Sequence, residues 1–285
     1  MYTFRLLTIL FLFIALQARS QNKEPYKYPP SEVVTIKSKV LNEDRKVYIH
    51  FPKVDSADLN KRFPVLYLMD ADNHFELLAH YVDYLSRPDV LAMPKMIVVG
   101  IPNTNRTRDL TPTKSITNYM GKPDSGSYKF SGGNENFLKF IETELIPMID
   151  KNYKTEPYKI LAGHSFGGIS ALNCMLTHPD MFNAYIAISP SLWWDNEYLL
   201  KLTDEKLKKG SVLNKKIFYS SGNEGGNNSF FHKGLLKLDS TIANKKLKGL
   251  DYIYKHYPTE THMTEPIVAY FDALRFIFKD WGKQR

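Results

Sequence analysis

Residues 159–172 read KILAGHSFGGISAL, and in this stretch a short apolar run meets a helical pattern at a serine surrounded by glycines. Gly163 and Gly167 stand two positions before and two positions after Ser165, which satisfies the pattern G-x-S-x-G. A sharp turn from strand to helix brings backbone close to backbone, so these two positions need residues without side chains. The stretch therefore predicts a strained turn that leaves the Ser165 hydroxyl exposed at the end of a strand.

The sequence around this turn has the pattern of an α/β fold. The runs Pro64–Met69 and Met96–Ile101 are short, apolar and unbroken, which indicates strands buried on both faces of a parallel sheet. Two earlier strand-like runs, Val33–Val40 and Arg45–Phe51, predict an antiparallel hairpin at the sheet edge. We expect a mostly parallel central sheet with helices on both faces, and the turn at Ser165 makes it an α/β-hydrolase fold.

Helical patterns alternate with these strands from residue 64 onward. The pattern over Glu135–Tyr153 has apolar residues at helical spacing and is expected to kink at Pro147. Residues 102–133 interrupt the alternation with a long polar stretch after the strand that ends at Ile101. Ligands of open α/β sheets bind at this edge, so the stretch is either a lid or substrate contact or a mobile surface insertion.

The first twenty residues have the pattern of a secretory signal peptide. Arg5 precedes an apolar run over Leu6–Leu16, and Ala18-Arg19-Ser20 follows with the small residues of a cleavage site. At about 1.5 Å per residue this run is too short to cross a hydrocarbon core of about 30 Å. We expect cleavage after Ser20, a flexible lead-in over 21–31 and a single domain over 32–285, in a protein exported to the periplasm or beyond. An uncleaved anchoring helix is the alternative.

Composition argues against several classes of partner. The chain carries 38 basic and 30 acidic residues, for a net charge of +8, and its one dense basic stretch (201–216) lacks interleaved aromatic residues. That stretch is typical of a solvated helix face and loop rather than of a nucleic-acid site.

Cys174 is the only cysteine and is expected to be a buried small hydrophobe. With neither zinc-type spacing nor a phosphate-binding glycine loop, we expect no metal, cofactor or nucleic acid.

A catalytic serine needs a histidine base, and in this fold the chain order is serine, acid, histidine. Four histidines follow Ser165 in the chain: His178, His232, His256 and His262. His262 falls in a loop between the last strand and the last helix, where the base of this fold lies. His256, within the strand pattern YIYKHYP, is the alternative.

The acid of such a triad follows the penultimate strand. The stretch IFYSSGNEGGNNS (217–229) ends a strand and turns through glycines, which places Glu224 in a loop. Asp239 and Asp251 have the pattern of solvated charges in a helix and at a strand start. Glu224 is therefore the predicted partner of His262, unless it is only a polar residue of a glycine-rich turn.

Two backbone N–H groups are predicted to form an oxyanion hole. The first belongs to Phe166, at the start of the helix that follows Ser165. The second is expected near Asp72, in the loop after the strand Pro64–Met69, although the sequence does not fix the donor. A metal or acid–base pair of Asp70 and Asp72 is a competing interpretation, but no third ligand follows nearby.

Seven segments of the chain resemble the esterase-D-like α/β-hydrolases, a group that includes enterochelin (trilactone siderophore) esterases. They occur in the order of that family and are PVLYLMDADNHF (64–75), VVGIPNTNRTRDLTP (98–112), ELIPMIDKNY (144–153), AGHSFGGISAL (162–172), ISPSLWWDN (188–196), SSGNEGG (220–226) and THMTEPIVAYFDALRFIF (261–278). The resemblance implies the same serine, histidine and glutamate as catalytic residues. It also implies that Arg106, Trp193 and Trp194 flank the substrate pocket.

Such pocket residues fit an ester substrate with a flat or anionic group. A tryptophan can stack on an acyl group, and Arg106 or Arg108 can pair with a catecholate or carboxylate. The alternatives are that Trp193 belongs to the core and that the arginines pair with Asp109. We expect a serine carboxylesterase for small-molecule or glycan esters, such as a siderophore trilactone or an acyl- or aryl-sugar ester. An acyltransferase with the same triad and a catalytically silent ligand-binding protein are the other hypotheses.

Overall fold

The computed structural model describes residues 31–58, 60–225 and 229–281. The predicted signal peptide (1–20) and residues 21–30 of the predicted lead-in lie outside this part of the chain. Within it, one eight-stranded sheet has the strand order β1-β2-β4-β3-β5-β6-β7-β8. The strands are β1 (Ser31–Ser38), β2 (Glu43–His50), β3 (Phe63–Met69), β4 (Ile97–Ile101), β5 (Thr155–His164), β6 (Ala184–Ile188), β7 (Val212–Gly222) and β8 (Lys248–Tyr257).

The pairing of the strands confirms the predicted architecture. β1 and β2 form an antiparallel hairpin, and β2 also pairs antiparallel with β4. The neighbours from β4 through β3 and β5 to β8 are all parallel. Since parallel strands need crossover connections, the helices between them cover the two faces of the sheet.

Helices alternate with the strands along the chain. They are α1 (Ala71–Leu85), α2 (Arg106–Leu110), α3 (Ser125–Tyr128), α4 (Asn134–Phe140), a π-helical turn (Ile141–Leu145), α5 (Ile146–Asn152), α6 (Phe166–Thr177), α7 (Trp194–Lys206), α8 (Phe230–Lys245) and α9 (Glu265–Ile277). None of the helices in the described part of the chain combines the length and the apolar character needed to span a membrane.

Alternate residues of the central strands enter two cores, which explains their unbroken apolar sequence. On β3, Tyr67 and Met69 pack in one core together with residues of α4 and α6. Leu66 and Leu68 pack in the other core, with residues of α1 and α9. All four side chains are fully buried. Cys174 of α6 is buried in the first core, as predicted, and burial raises the pKa of its thiol.

The helical pattern over residues 135–153 is correct in extent, but its irregularity is a π-helical turn (Ile141–Leu145) that ends two residues before Pro147. Proline donates no backbone hydrogen bond and its ring crowds the preceding turn. Widening that turn accommodates the ring without ending the helix.

Residues 102–133 fold into α2, α3 and an isolated bridge between Thr117 and Pro123. The segment closes on itself where Gly133 N–H donates to the carbonyl of Arg108 at 2.9 Å. It is also tied to α7, because Nε1 of Trp194 donates to Oγ1 of Thr113 at 3.2 Å. The segment therefore joins the carboxyl end of β4 to the helix after β6.

Candidate active site

The backbone of Ser165 is strained at the junction of β5 and α6. Its φ of 59° and ψ of −113° are unfavourable for a residue with a side chain. The turn is held by the N–H of Ser165, which donates to the carbonyl of Ile188 at 2.9 Å. The carbonyl of Ser165 accepts from the N–H groups of Ile169 at 3.1 Å and Ser191 at 3.2 Å. The strained turn expected from the motif is thus present.

The glycines beside Ser165 are required by close contacts. A Cβ on Gly163 would lie 2.4 Å from the carbonyl carbon of Gly167, which leaves no room for any side chain. A Cβ on Gly168 would lie 2.9 Å from Cα of Pro190. The motif therefore permits α6 to start directly over the end of β5, with Ser165 partly exposed at the turn.

The hydroxyl of Ser165 has a neighbour that the sequence did not indicate. Its Oγ lies 3.1 Å from Oγ of Ser191, which is 2 % exposed. Ser191 follows β6, the strand beside β5, so its position at the same sheet edge follows from the parallel pairing. The one available hint was its position in ISPSLWW, directly after a buried strand, but a serine there is too common to single out.

His262 and Glu224 lie together beside this turn. Nδ1 of His262 is 3.1 Å from Oε1 of Glu224, within ion-pair distance but without the alignment of a hydrogen bond. Glu224 is 5 % exposed and His262 is 30 % exposed, so the imidazole forms the accessible end of the pair. The ring of His262 packs against that of His164 at a tilt of 42°, with centroids 4.4 Å apart, and His164 directly precedes Ser165.

A second buried glutamate, which sequence reasoning missed, lies behind Glu224. The hydroxyl of Ser189 contacts both Oε1 of Glu224 and Oε2 of Glu265. Glu265 is the first residue of α9 and is fully buried, which raises the pKa of its carboxyl to about 7. An acidic residue in the first turn of a helix is usually a solvated charge that favours the helix, so nothing in the local pattern indicated this role.

The alternative base, His256, belongs to a different group of side chains. Its Nδ1 lies 3.0 Å from Oγ of Ser221, and its ring centroid lies 4.6 Å from that of His232. Tyr254 links the two histidines, with its hydroxyl 2.8 Å from Ser221 Oγ and 3.0 Å from His232 Nδ1. Burial, and then the nearby His256, lower the pKa of His232.

The two predicted oxyanion donors begin neighbouring helices. Phe166 is the first residue of α6, and Asp72 is the second residue of α1, where backbone N–H groups have no acceptor within the helix. The two helix ends are close, because a Cβ on Gly167 would lie 3.1 Å from Oδ2 of Asp70. The Asp72 carboxylate accepts from the backbone N–H of Asn103 at 2.7 Å.

The pair of Asp70 and Asp72 is bound by protein donors. Side-chain Nδ2 of Asn103 donates to Asp70 at 2.8 Å and to Asp72 at 3.0 Å. Arg106 donates to both oxygens of Asp70. Across the residues that the structure describes, no cluster of three or more histidine, cysteine or acidic side chains is arranged to hold a metal ion.

The two arginines of the 102–133 segment have separate partners. Arg106 pairs with Asp70, donates to the carbonyl of His164 at 3.3 Å and lies 5.1 Å over the ring of Phe166. Arg108 pairs with Glu43 and Asp109. The pairing with Asp109 thus holds for Arg108, while Arg106 contacts the strained turn and is 35 % exposed.

The structure also separates the two tryptophans. Trp194 is 2 % exposed and donates to Thr113, so it is a core residue and the expectation that it flanks the pocket needs correction. Trp193 is half-buried, and its ring lies 5.9 Å from Phe166 and 6.2 Å from the exposed Tyr119. Successive residues at a helix start point in different directions. The sequence alone therefore does not tell which of the two tryptophans faces the core.

A mostly parallel sheet with a strained serine turn between its central strand and helix defines the α/β-hydrolase class. Residues 38–262 match the family described as "Putative esterase", and the chain belongs to this family. It is an ester hydrolase on a hydrolase fold.

One named relative and one solved structure match most of the chain, and a second relative matches about a third of it. Ferri-bacillibactin esterase BesA of Bacillus subtilis is 29 % identical over 263 residues, which are 88 % of this chain and 90 % of the relative. The siderophore enterobactin esterase of Emericella nidulans is 34 % identical over 117 residues, 37 % of this chain and 38 % of the relative. The crystal structure of an IroE-like serine hydrolase from Shewanella oneidensis has a TM-score of 0.83 at 34 % identity, covering 88 % of this chain and 81 % of that one.

Proposed function

We propose that the protein is an exported serine esterase that hydrolyses siderophore-type esters through Ser165, His262 and Glu224. One observation carries this proposal: the strained Ser165 lies at the start of α6, and His262 and Glu224 lie beside it. Nδ1 of His262 is 3.1 Å from Oε1 of Glu224. A serine hydroxyl is a weak nucleophile, and an imidazole held by a carboxylate supplies the base that it lacks.

In the proposed first step, the Ser165 hydroxyl turns from Ser191 toward Nε2 of His262. Catalytic hydrogen bonds are often long or misaligned before substrate binds, which fits the unaligned contact of His262 with Glu224. Oγ of Ser165 bonds to the ester carbonyl carbon while its proton moves to Nε2. The negative charge on the carbonyl oxygen is stabilised by the N–H of Phe166 and by an N–H at the start of α1, at Asp72 or beside it.

Collapse of this intermediate releases the alcohol. The C–O bond of the ester breaks, the imidazolium returns its proton to the leaving oxygen, and the acyl group stays on Ser165. Water then gives a proton to His262 as its oxygen attacks the acyl carbon. The Oγ–C bond breaks, the imidazolium returns that proton to Oγ of Ser165, and the free acid leaves. Throughout, the Glu224 carboxylate stabilises the imidazolium.

The surroundings of the site favour a substrate with aromatic or anionic groups. Trp193 and the exposed Tyr119 lie on the Phe166 side of the strained turn, and the guanidinium of Arg106 lies over the same ring. The relatives named above carry siderophore names, and such iron chelators present flat aromatic or anionic groups around ester bonds. We therefore propose siderophore trilactones, with or without bound iron, as the substrate class.

The test is hydrolysis of p-nitrophenyl butyrate and of a purified catecholate trilactone by Ser165→Ala beside Ser240→Ala. Ser240 is exposed on α8 and serves as the matched serine control. We expect S165A to lose at least a thousandfold in kcat and to resist labelling by a fluorophosphonate, while S240A matches the unchanged protein. Full activity of S165A would overturn the proposal, and ester formation with added alcohols would assign acyl transfer instead.

A further inference from the structure

A buried carboxyl group lies behind the Glu224–His262 pair and has no part in the steps above. Glu265 is fully buried at the start of α9. Its Oε2 contacts the hydroxyl of Ser189, and the same hydroxyl contacts Oε1 of Glu224. Its other oxygen, Oε1, is buried without an aligned hydrogen bond.

Counting protons shows that both glutamates cannot be charged here. A serine hydroxyl has a single proton, so it can donate to only one of the two carboxyl groups. If both were carboxylates, the second contact would be an oxygen–oxygen repulsion between buried groups, and two like charges would share one site. The second contact therefore needs a proton on one of the carboxyl groups, which then donates to Oγ of Ser189.

The surroundings assign that proton to Glu265 rather than to Glu224. Oε1 of Glu224 lies 3.1 Å from Nδ1 of His262, where a carboxylate oxygen can accept the N–H of the imidazole. Among the described residues, Glu224 and the tyrosines Tyr254, Tyr257 and Tyr270 of β8 and α9 interact electrostatically with Glu265, and none of these side chains carries a positive charge.

Several groups oppose the neutral form but do not outweigh burial. Ser189, Ser220 and the backbone N–H of Gly222 act to lower the pKa of Glu265, and the N-terminus of α9 acts in the same direction. Burial and the nearby Glu224 act to raise it. The balance leaves the pKa at about 7, far above that of an exposed glutamate.

We propose that Glu265 is a positioning residue, which keeps its proton and donates it to Ser189 so that Ser189 donates to Glu224. The inference rests on the proposed function, in which Glu224 orients His262. The neutral acid fixes the direction of the Ser189 hydroxyl, and the hydroxyl in turn fixes the Glu224 carboxylate toward Nδ1 of His262. No proton is transferred along this chain during the reaction, because its task is orientation.

The test compares an isosteric neutral donor with an apolar side chain of similar size. In Glu265→Gln the amide N–H₂ can replace the carboxyl proton toward Ser189, so kcat on p-nitrophenyl butyrate is expected to stay within about threefold at pH 6.5. In Glu265→Leu the donor is gone, and kcat is expected to fall at least tenfold with KM changed less than twofold. Glu76→Gln, on the exposed face of α1, controls for the loss of one acidic residue.

The pH profile separates positioning from simple packing. In the unchanged protein, ionisation of Glu265 removes the donor and adds a negative charge, so kcat is expected to decline above about pH 7.5. E265Q cannot ionise and is expected to hold its kcat through pH 9, a difference that a merely structural role would not produce. Equal losses in E265Q and E265L, or full activity in E265L, would overturn the inference.

A direct measurement does not require activity. The infrared difference between the unchanged protein and E265Q at pH 6 is expected to show the carbonyl band of a protonated carboxyl, which fades as the pH is raised to 8. E76Q is expected to show no such difference.

A missing band would overturn the inference even if the esterase assays succeed, whereas an inactive S165A with the band present would leave both proposals standing. A fully active S165A with the band present would overturn the proposed function alone.

Discussion

Arg106 holds Asp70 with two hydrogen bonds, from Nε at 2.6 Å and from Nη2 at 2.9 Å, and the same Nη2 reaches the carbonyl of His164 at 3.3 Å. Asp70 is the residue before α1 and has a left-handed backbone with a φ of 56°. One guanidinium thus ties the start of α1 to the residue before Ser165. The two helix ends that are proposed to stabilise the oxyanion are held together by this contact.

Replacing Arg106 by lysine keeps the charge but removes the planar fork. We expect kcat on the neutral ester p-nitrophenyl butyrate to fall about tenfold or more, because small displacements of oxyanion donors are costly in rate. KM for this ester should change little. Arg87→Lys is the control, since Arg87 makes the same kind of fork to Asp89 on the exposed surface.

A different result would assign Arg106 to substrate binding. If kcat on the neutral ester is unchanged and only KM for a catecholate or carboxylate ester rises, the guanidinium serves the anionic substrate directly. Stopped-flow or steady-state assays on the two ester types distinguish these outcomes.

The neighbouring tryptophans are expected to respond in different measurements. Trp193→Leu should raise KM about tenfold for an aromatic acyl ester, corresponding to about 1.4 kcal/mol of lost stacking, and should leave an acetyl ester nearly unaffected. Its melting temperature should change less than that of the Trp194 variant. Steady-state kinetics on the paired esters checks this prediction.

Trp194→Phe removes the hydrogen bond to Thr113 and part of a fully packed ring. The free energy of unfolding should fall by about 1 to 3 kcal/mol, and the melting temperature by several degrees. KM should stay within about twofold, since this side chain does not reach the surface. A large rise in KM with unchanged stability would return Trp194 to the substrate pocket.

Gly163→Ala should prevent the strained turn from forming. Its new methyl group would overlap the carbonyl carbon of Gly167 at 2.4 Å, and backbone cannot move away as a flexible side chain would. We expect a loss of more than about 3 kcal/mol in unfolding free energy, or insoluble protein. Gly126→Ala is the matched control, because its nearest neighbour atom would lie 3.9 Å away. Chemical denaturation measures both.

Local patterns were sufficient for the sheet and for the loop positions of His262 and Glu224. The spacing of apolar residues, the unbroken apolar runs and the order of residues along the chain carry that information. The fold then brings Nδ1 of His262 to 3.1 Å from Oε1 of Glu224. Ser189, Ser191 and Glu265 were missed because each is an ordinary residue in its own segment. Their place beside the site arises only because β6 and β7 end, and α9 begins, at the same edge of the sheet.

The first half of helix α7 was also missed, whereas its charged end was predicted as a solvated helix face. Its first turn includes Asp195, Asn196 and Glu197 in left-handed conformation, so the chain has no regular helical start there. This helix has fewer buried residues than charged ones. The charged stretch 201–216 therefore has the pattern of a surface segment. Packing against α8, rather than an amphipathic pattern, accounts for this helix.

The buried Glu265 predicts that stability falls as the pH rises from about 4.5 to about 7. The ordinary pKa of 4.5 applies to the unfolded chain, and burial raises the folded value to about 7. Between these values the folded protein binds more protons than the unfolded chain, so each step up in pH favours unfolding. The shift corresponds to a loss in unfolding free energy on the order of 3 kcal/mol by pH 8, relative to pH 4.5.

E265Q lacks this component and should lose correspondingly less stability across the same range, as measured by urea denaturation at pH 5 and pH 8. Parallel pH dependence in the unchanged protein and E265Q would contradict the prediction, with E76Q again serving as the exposed control.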